Sequence, residues 1–222
     1  MDQINFRHRR SLGIAGSDIA EVFLECRLKP CYEGSKSQNT AKGVEASVSI
    51  AAKQAFYIKL GRGGGWESEC LREGTLRFGY RGTPHDLCIA GKWDQVREFW
   101  THRKGHAGTG TSSARQIRTF YETDQTALFI TFARGLLYWC RPTGPVELLV
   151  DSNRRRATVD GWHSRSVKGT PLTSDRISGH LLKVQMFQGT ICRVKPLEYL
   201  LRKLNDELSP EVAAAEEAER AP

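Results

Sequence analysis

Between Phe56 and Tyr80 the chain reads FYIKLGRGGGWESECLREGTLRFGY, a segment that places a strand, a glycine turn, a short helix and a second strand within twenty-five residues. Phe56, Ile58 and Leu60 alternate with Tyr57 and Lys59 at the period of a strand, and Trp66, Cys70 and Leu71 recur at helical spacing. Such close succession of short elements predicts the entrance to a compact β-rich domain, with aromatic residues and arginines at its edges.

The 222 residues suit one domain of ordinary size with tails, long enough to bury a core. There is no apolar run of membrane-spanning length. Arg7, Arg9 and Arg10 near the N-terminus are not followed by the apolar stretch of a signal peptide. The expectation is a soluble, cytoplasmic protein with no membrane contact. Residues 1–43 lack sustained periodicity after a short helix expected at Ser17–Cys26, and Glu33–Lys42 has linker composition. They are expected to form a poorly ordered leader. The domain proper is expected over 44–208, followed by an acidic Ala/Glu-rich tail over 209–222.

Charge sharpens this division. The formal net charge is +8, yet residues 44–205 hold 25 basic side chains against 14 acidic, while 206–222 hold one against six. A basic domain of that kind concentrates polyanions at its surface, which makes nucleic acid the leading partner class. The six cysteines form no CxxC pair, so neither disulfides nor zinc are expected, and Cys70, Cys140 and Cys192 read as buried thiols.

Strands are expected near Ala55–Leu60, Thr75–Tyr80, Ala127–Ala133, Leu136–Arg141, Val146–Leu149, Arg155–Val159 and Thr190–Val194. Helices are expected at Lys92–His102, Ser112–Tyr121 and Pro196–Leu208, each with an apolar stripe. The sequence ALFITFARGLLYWCRP reads as a hairpin turning at Arg134-Gly135. The fold class is therefore α+β, a small β-barrel flanked by short helices with a helix at its C-terminal end. Asp160–Gln188 is polar and turn-rich, with Trp162 and Leu172 as anchors, and reads either as a lid or as a structural elaboration.

Taken in order, the strand, the LGRGGGW turn, the helix, GTLRFGY and the later QIRTFY resemble the PUA-like fold. More narrowly they resemble the EVE/YTH-type domains and the related N-terminal sensor domains of prokaryotic modification-dependent restriction systems. The likeness covers Ala55–Arg141. The chain departs from it in having Glu122-Thr123-Asp124-Gln125 where relatives carry a Gly-Asp turn, and Asp160–Cys192 has no counterpart. The resemblance implies a reader domain that holds a modified base between aromatic side chains while basic residues grip the backbone, DNA more readily than RNA, with a separate nuclease as effector.

The residues available for such a site are of two kinds. Candidate walls for a base are Trp66, Tyr80, Trp100, Tyr138, Trp139 and Trp162, since stacking recovers the cost of extruding a base. Candidate phosphate contacts are Lys59, Arg62, Arg77, Arg115, Arg118, Arg134, the run Arg154-Arg155-Arg156, and Arg165 with Lys168. The turn holding Gly61, Gly63, Gly64 and Gly65 is not a Walker motif; if functional, Gly63 and Gly64 would touch a nucleic-acid phosphate. No catalytic residue, metal or cofactor is assigned. The alternatives are a metal-dependent nuclease-like enzyme using His85, Asp86 and Glu98, and a basic module that binds an acidic protein. His102, His106, His163 and His180 form no constellation with catalytic spacing.

Overall fold

A computed structural model describes residues 49–209. The expected leader, its helix at Ser17–Cys26, Cys26, Cys31 and the acidic tail beyond Ser209 lie outside the described residues.

The described chain is a mixed α/β structure around a six-stranded sheet. The strands are β1 (Gln54–Ile58), β2 (Thr75–Phe78), β3 (Ala127–Ala133), β4 (Leu136–Leu148), β5 (Arg154–His163) and β6 (Ile191–Arg193). Their order across the sheet is β2-β5-β4-β3-β1-β6. The expected barrel is therefore an open, curled half-barrel with β2 and β6 at its ends. Among the described strands only β1 and β3 run parallel, and such a pair requires a crossover connection. Here the crossover carries β2 and four helices: α1 (Glu67–Glu73), α2 (His85–Ile89), α3 (Trp93–Lys104) and α4 (Ala107–Glu122).

All seven residues of β3 are buried, which explains why ALFITFA lacks polar alternation: this central strand has a core on each side. Ala127 and Phe129 join Phe56, Ile58, Leu76 and Phe78 against the helices α1–α4. Leu128, Ile130 and Phe132 join Tyr57 and Leu137 on the opposite face. That second face is covered by Leu172, Ile177 and Leu181, the last from α5 (Gly179–Leu182), and by Leu200 and Leu204 of α6 (Leu197–Leu204). Within residues 160–188, Leu172, Ile177 and Leu181 thus form a structural layer, and Leu172 is an anchor within it.

The hairpin at Arg134-Gly135 forms as its sequence requires. Ala133 pairs with Leu136, and φ is 52° at Arg134 and 74° at Gly135, the left-handed pair of a type I′ turn. Two expected strands, Leu136–Arg141 and Val146–Leu149, are instead one strand, β4. A register shift between Thr143 and Glu147 absorbs Gly144-Pro145. The short helix α2 was not anticipated.

Helices α3 and α4 touch at Gly110, where an added Cβ would lie 2.6 Å from the Thr101 backbone. Overpacking of that kind costs about 1–3 kcal/mol, more than the roughly 1 kcal/mol that alanine gains over glycine in a helix. Gly110→Ala is therefore expected to lower the thermal midpoint by about 5 °C. Gly108→Ala, where nothing lies within 4 Å, should leave it unchanged or raise it. Circular-dichroism melts of the two variants check this.

Candidate nucleic-acid interface

The run Arg154-Arg155-Arg156 does not form one exposed basic patch. A strand sends alternate residues to opposite faces, so Arg154 and Arg156 point inward, 1% and 6% exposed, and only Arg155 points outward. The Arg154 guanidinium donates to the carbonyls of Tyr80 at 2.8 Å, Ser152 at 2.9 Å and Thr83, and its Nε donates to the Tyr121 hydroxyl at 3.2 Å. Arg156 donates to the carbonyls of Phe120 at 2.9 Å and Thr123 at 2.7 Å, at the C-terminal end of α4 where the helix dipole favours a cation. Burial lowers its pKa. Both side chains are interior braces and are not accessible to phosphate. Arg155 pairs with Glu147 at 2.9 Å.

Other candidates are ion-paired or hydrogen-bonded within the fold. Arg77 pairs with Glu69 at 2.9 Å and with Asp151, and its guanidinium lies 4.8 Å above the Trp66 ring. Arg118 pairs with Glu122 at 2.6 Å. Arg134 donates to Ser68 Oγ at 2.8 Å and Arg165 to the Gly169 carbonyl at 2.7 Å. Lys59 donates to the Phe187 carbonyl, tying the chain after α5 to β1. The glycine turn does not present a phosphate cradle, because a Cβ on Gly64 would lie 2.6 Å from the Glu67 carboxylate, which repels an anion there. Arg62, Arg115 and Lys168 are exposed and make no ion pair among the described residues.

The six aromatic candidates do not converge on one cage. Trp100 is buried and donates to Thr83 Oγ1 at 3.1 Å, with Tyr80 in edge contact at 5.1 Å, so no slot opens between the two rings. Trp66 is covered by Arg77, Trp162 donates to the Thr75 carbonyl at 2.9 Å, and Trp139 stacks on His163 at 4.5 Å. Tyr138 is half-buried beside the hairpin turn.

The nuclease-like alternative is likewise unassembled. His85 Nδ1 lies 2.8 Å from the Tyr121 hydroxyl, and no hydrogen bond joins it to Asp86 or Glu98 among the described residues. Nor do three His, Cys, Asp or Glu side chains come together as a metal site among them. Burial pushes the Cys70 thiol up to about 11, which keeps it protonated, and Cys192 is half-buried rather than enclosed.

What the fold does assemble is a cleft of about 860 Å³ along the β6 end of the sheet. Its floor is the helix-facing side of the β1–β6 pair, where Phe56 sits opposite Arg193 in register and Ile191 opposite Ile58. One wall is α4, through Ser112, Arg115, Gln116 and Thr119. The other runs from His180 of α5 through the 3-10 turn Lys183–Met186 to Phe187. Gln116 is a buried brace: its Oε1 accepts from the backbone N–H groups of Thr190 at 2.7 Å and Ile191 at 3.0 Å, fixing β6 against α4.

The charge of this cleft is one-sided. Arg115, Lys183, Arg193 and Lys195 line it together with His180, and no carboxylate among the described residues does. None of the four cations makes an ion pair among the described residues, in contrast to Arg77, Arg118 and Arg155. Between them lie Phe56, Val184, Met186, Phe187, Ile191 and Pro196. Four unneutralised cations around an apolar floor offer charge to an anion and contact to an apolar surface.

Of these groups only Arg115 was singled out from the sequence. The signal that could have found the rest is the absence of acid: from Arg176 to Leu197 the chain has four Lys/Arg and no Asp or Glu. Among the described residues no helix is long and apolar enough to cross a membrane. Comparison with known proteins finds no matching family model, no matching curated protein and no matching solved structure.

Proposed function

We propose that the protein binds nucleic acid through the cleft between α4, the β1–β6 pair and the 180–187 segment, as a reader of a modified base. The observation that carries this reading is the convergence of Arg115, Lys183, Arg193 and Lys195 on one concavity without a carboxylate. Phosphates meet the cations, and the apolar interior receives a base that has left its stack. A volume of about 860 Å³ lies within the range of roughly 300–1,000 Å³ common for small-ligand sites, so a nucleotide has room. The setting implied by the resemblance, a DNA-directed sensor of a prokaryotic restriction or defence system acting with a separate nuclease, belongs to this proposal.

The test is a titration of the full chain against matched oligonucleotides with and without modified cytosine or adenine. The expected result is binding that prefers one modification and is weakened about ten-fold by Lys183→Glu, which reverses a wall cation. Absence of binding to every oligonucleotide at low salt would overturn the proposal and leave an acidic protein as the partner the cleft charge favours.

A further inference from the structure

The chemistry this cleft asks for, anionic groups carried together with apolar surface, is present in the chain itself. Residues 210–222, which lie outside the described residues, read PEVAAAEEAERAP. Four glutamates, Glu211, Glu216, Glu217 and Glu219, stand against one arginine, Arg220, and the positions between the acids are mostly alanine and valine. The segment therefore carries −3, opposite in sign to the four cations of the cleft, with small apolar side chains interleaved. An acidic run of this kind taken alone is a solvated tail. What singles this one out is that an all-cation cleft lies within its reach on the same chain.

The reach follows from α6. Lys195 and Pro196 line the cleft, and Pro196 is also the N-cap of α6. The eight residues of α6 are about 12 Å long. Past its last turn the chain folds back on it, with Asp206 N–H donating to the Lys203 carbonyl at 3.4 Å and Glu207 N–H to the Arg202 carbonyl at 2.9 Å. The acidic segment thus starts near the end of α6 remote from Lys195. An extended chain covers roughly 3.3 Å per residue, so Glu216, Glu217 and Glu219 reach about 23–33 Å from Ser209. That is about twice the return distance along α6, whereas Glu211 reaches only about 7 Å. Tethering makes the contact intramolecular, which lets modest charge attraction fill the cleft.

On the premise that this cleft is the nucleic-acid site, we propose that residues 210–222 are its internal competitor: Glu216, Glu217 and Glu219 lie against Lys183, Arg193 and Lys195 in place of phosphates until nucleic acid displaces them. The acidic segment then sets a threshold, so that weak polyanions are turned away and a ligand that also fills the apolar interior is retained.

Two measurements on the full chain test this. In the first, carbodiimide couples carboxylates to the lysines they touch in dilute solution, and the linked peptides are identified by mass spectrometry. The expected result is coupling of Glu216, Glu217 or Glu219 to Lys183 or Lys195, suppressed by excess oligonucleotide. Coupling confined to Lys168 and Lys203, or to lysines of residues 1–48, would overturn the inference. In the second, a fluorescent oligonucleotide is titrated with Glu216→Gln/Glu217→Gln/Glu219→Gln, which is expected to bind about five-fold tighter than the parent at low salt and no tighter at high salt. The control Glu73→Gln/Asp94→Asn/Glu98→Gln removes the same charge from exposed positions outside the cleft and should gain less than about two-fold. Equal affinity of the first triple variant and the parent, or an equal gain in the control, would overturn the competitor role while leaving nucleic-acid binding intact. Failure of the parent and both variants to bind any oligonucleotide would instead overturn the premise, and the coupling pattern would still decide whether the segment occupies the cleft.

Discussion

Replacing Arg154 with methionine is expected to destabilise the folded domain by about 3–5 kcal/mol. The side chain is 1% exposed, and no carboxylate among the described residues pairs with it; its charge is dispersed over backbone carbonyls. Those carbonyls belong to two separate turns: Tyr80 and Thr83 follow β2, and Ser152 precedes β5. Methionine fills much of the same volume, so the cavity left is small, but three acceptors lose their donor in a dry interior. Each such loss costs about 1–3 kcal/mol. The neighbouring Arg155 is the internal control. Its pair with Glu147 is solvent-exposed, and Arg155→Met should cost no more than about 1 kcal/mol. Urea unfolding of the two variants decides the point. If Arg154→Met were as stable as Arg155→Met, Arg154 would not be an interior brace.

The second large effect is on binding. The double variant Arg193→Glu/Lys195→Glu is expected to reduce oligonucleotide affinity by about a hundred-fold, because it removes two of the four proposed phosphate contacts and places two carboxylates in the cleft lining. Stability should change little, since both side chains are exposed and unpaired among the described residues. Arg72→Ala, outside the cleft and paired with Glu73, should change affinity by less than about two-fold. Overall charge changes by four in the first variant and by one in the second, so an intermediate substitution is informative too. Arg103→Glu reverses an exposed cation on α3 that lies over the Trp100 ring, away from the cleft, and should weaken binding only slightly.

Much of this architecture can be read from residues. Phe56, Ile58 and the seven apolar residues of β3 announce strands, and Arg134-Gly135 announces a tight hairpin because glycine accepts the positive φ at the second position. The stripes on α3, α4 and α6 are equally plain. β4 is not legible in the same way. Pro142, Gly144 and Pro145 signal a break, yet β3 pairs with β4 only up to Cys140, so beyond that point the missing proline donors cost no β3–β4 ladder bond.

The site was less legible than the fold, for a physical reason. Composition counts charges without saying which are neutralised or turned inward. Arg77, Arg118, Arg154 and Arg156 look like contacts in sequence and prove to be partners of Glu69, Glu122 and backbone carbonyls. The cations left unpaired, Lys183, Arg193 and Lys195, come from a segment distant in sequence from Arg115. They meet it only because β6 docks beside β1 and Gln116 fastens β6 to α4.

The most direct test of the central claim is the slope of log affinity against log salt for the full chain and a fluorescent single strand. Four cations contacting phosphate predict a slope of about −3, falling to about −1.5 in Arg193→Glu/Lys195→Glu. Binding that does not respond to salt, or a double variant that keeps both the affinity and the slope of the parent, would contradict the assignment of this cleft to nucleic acid.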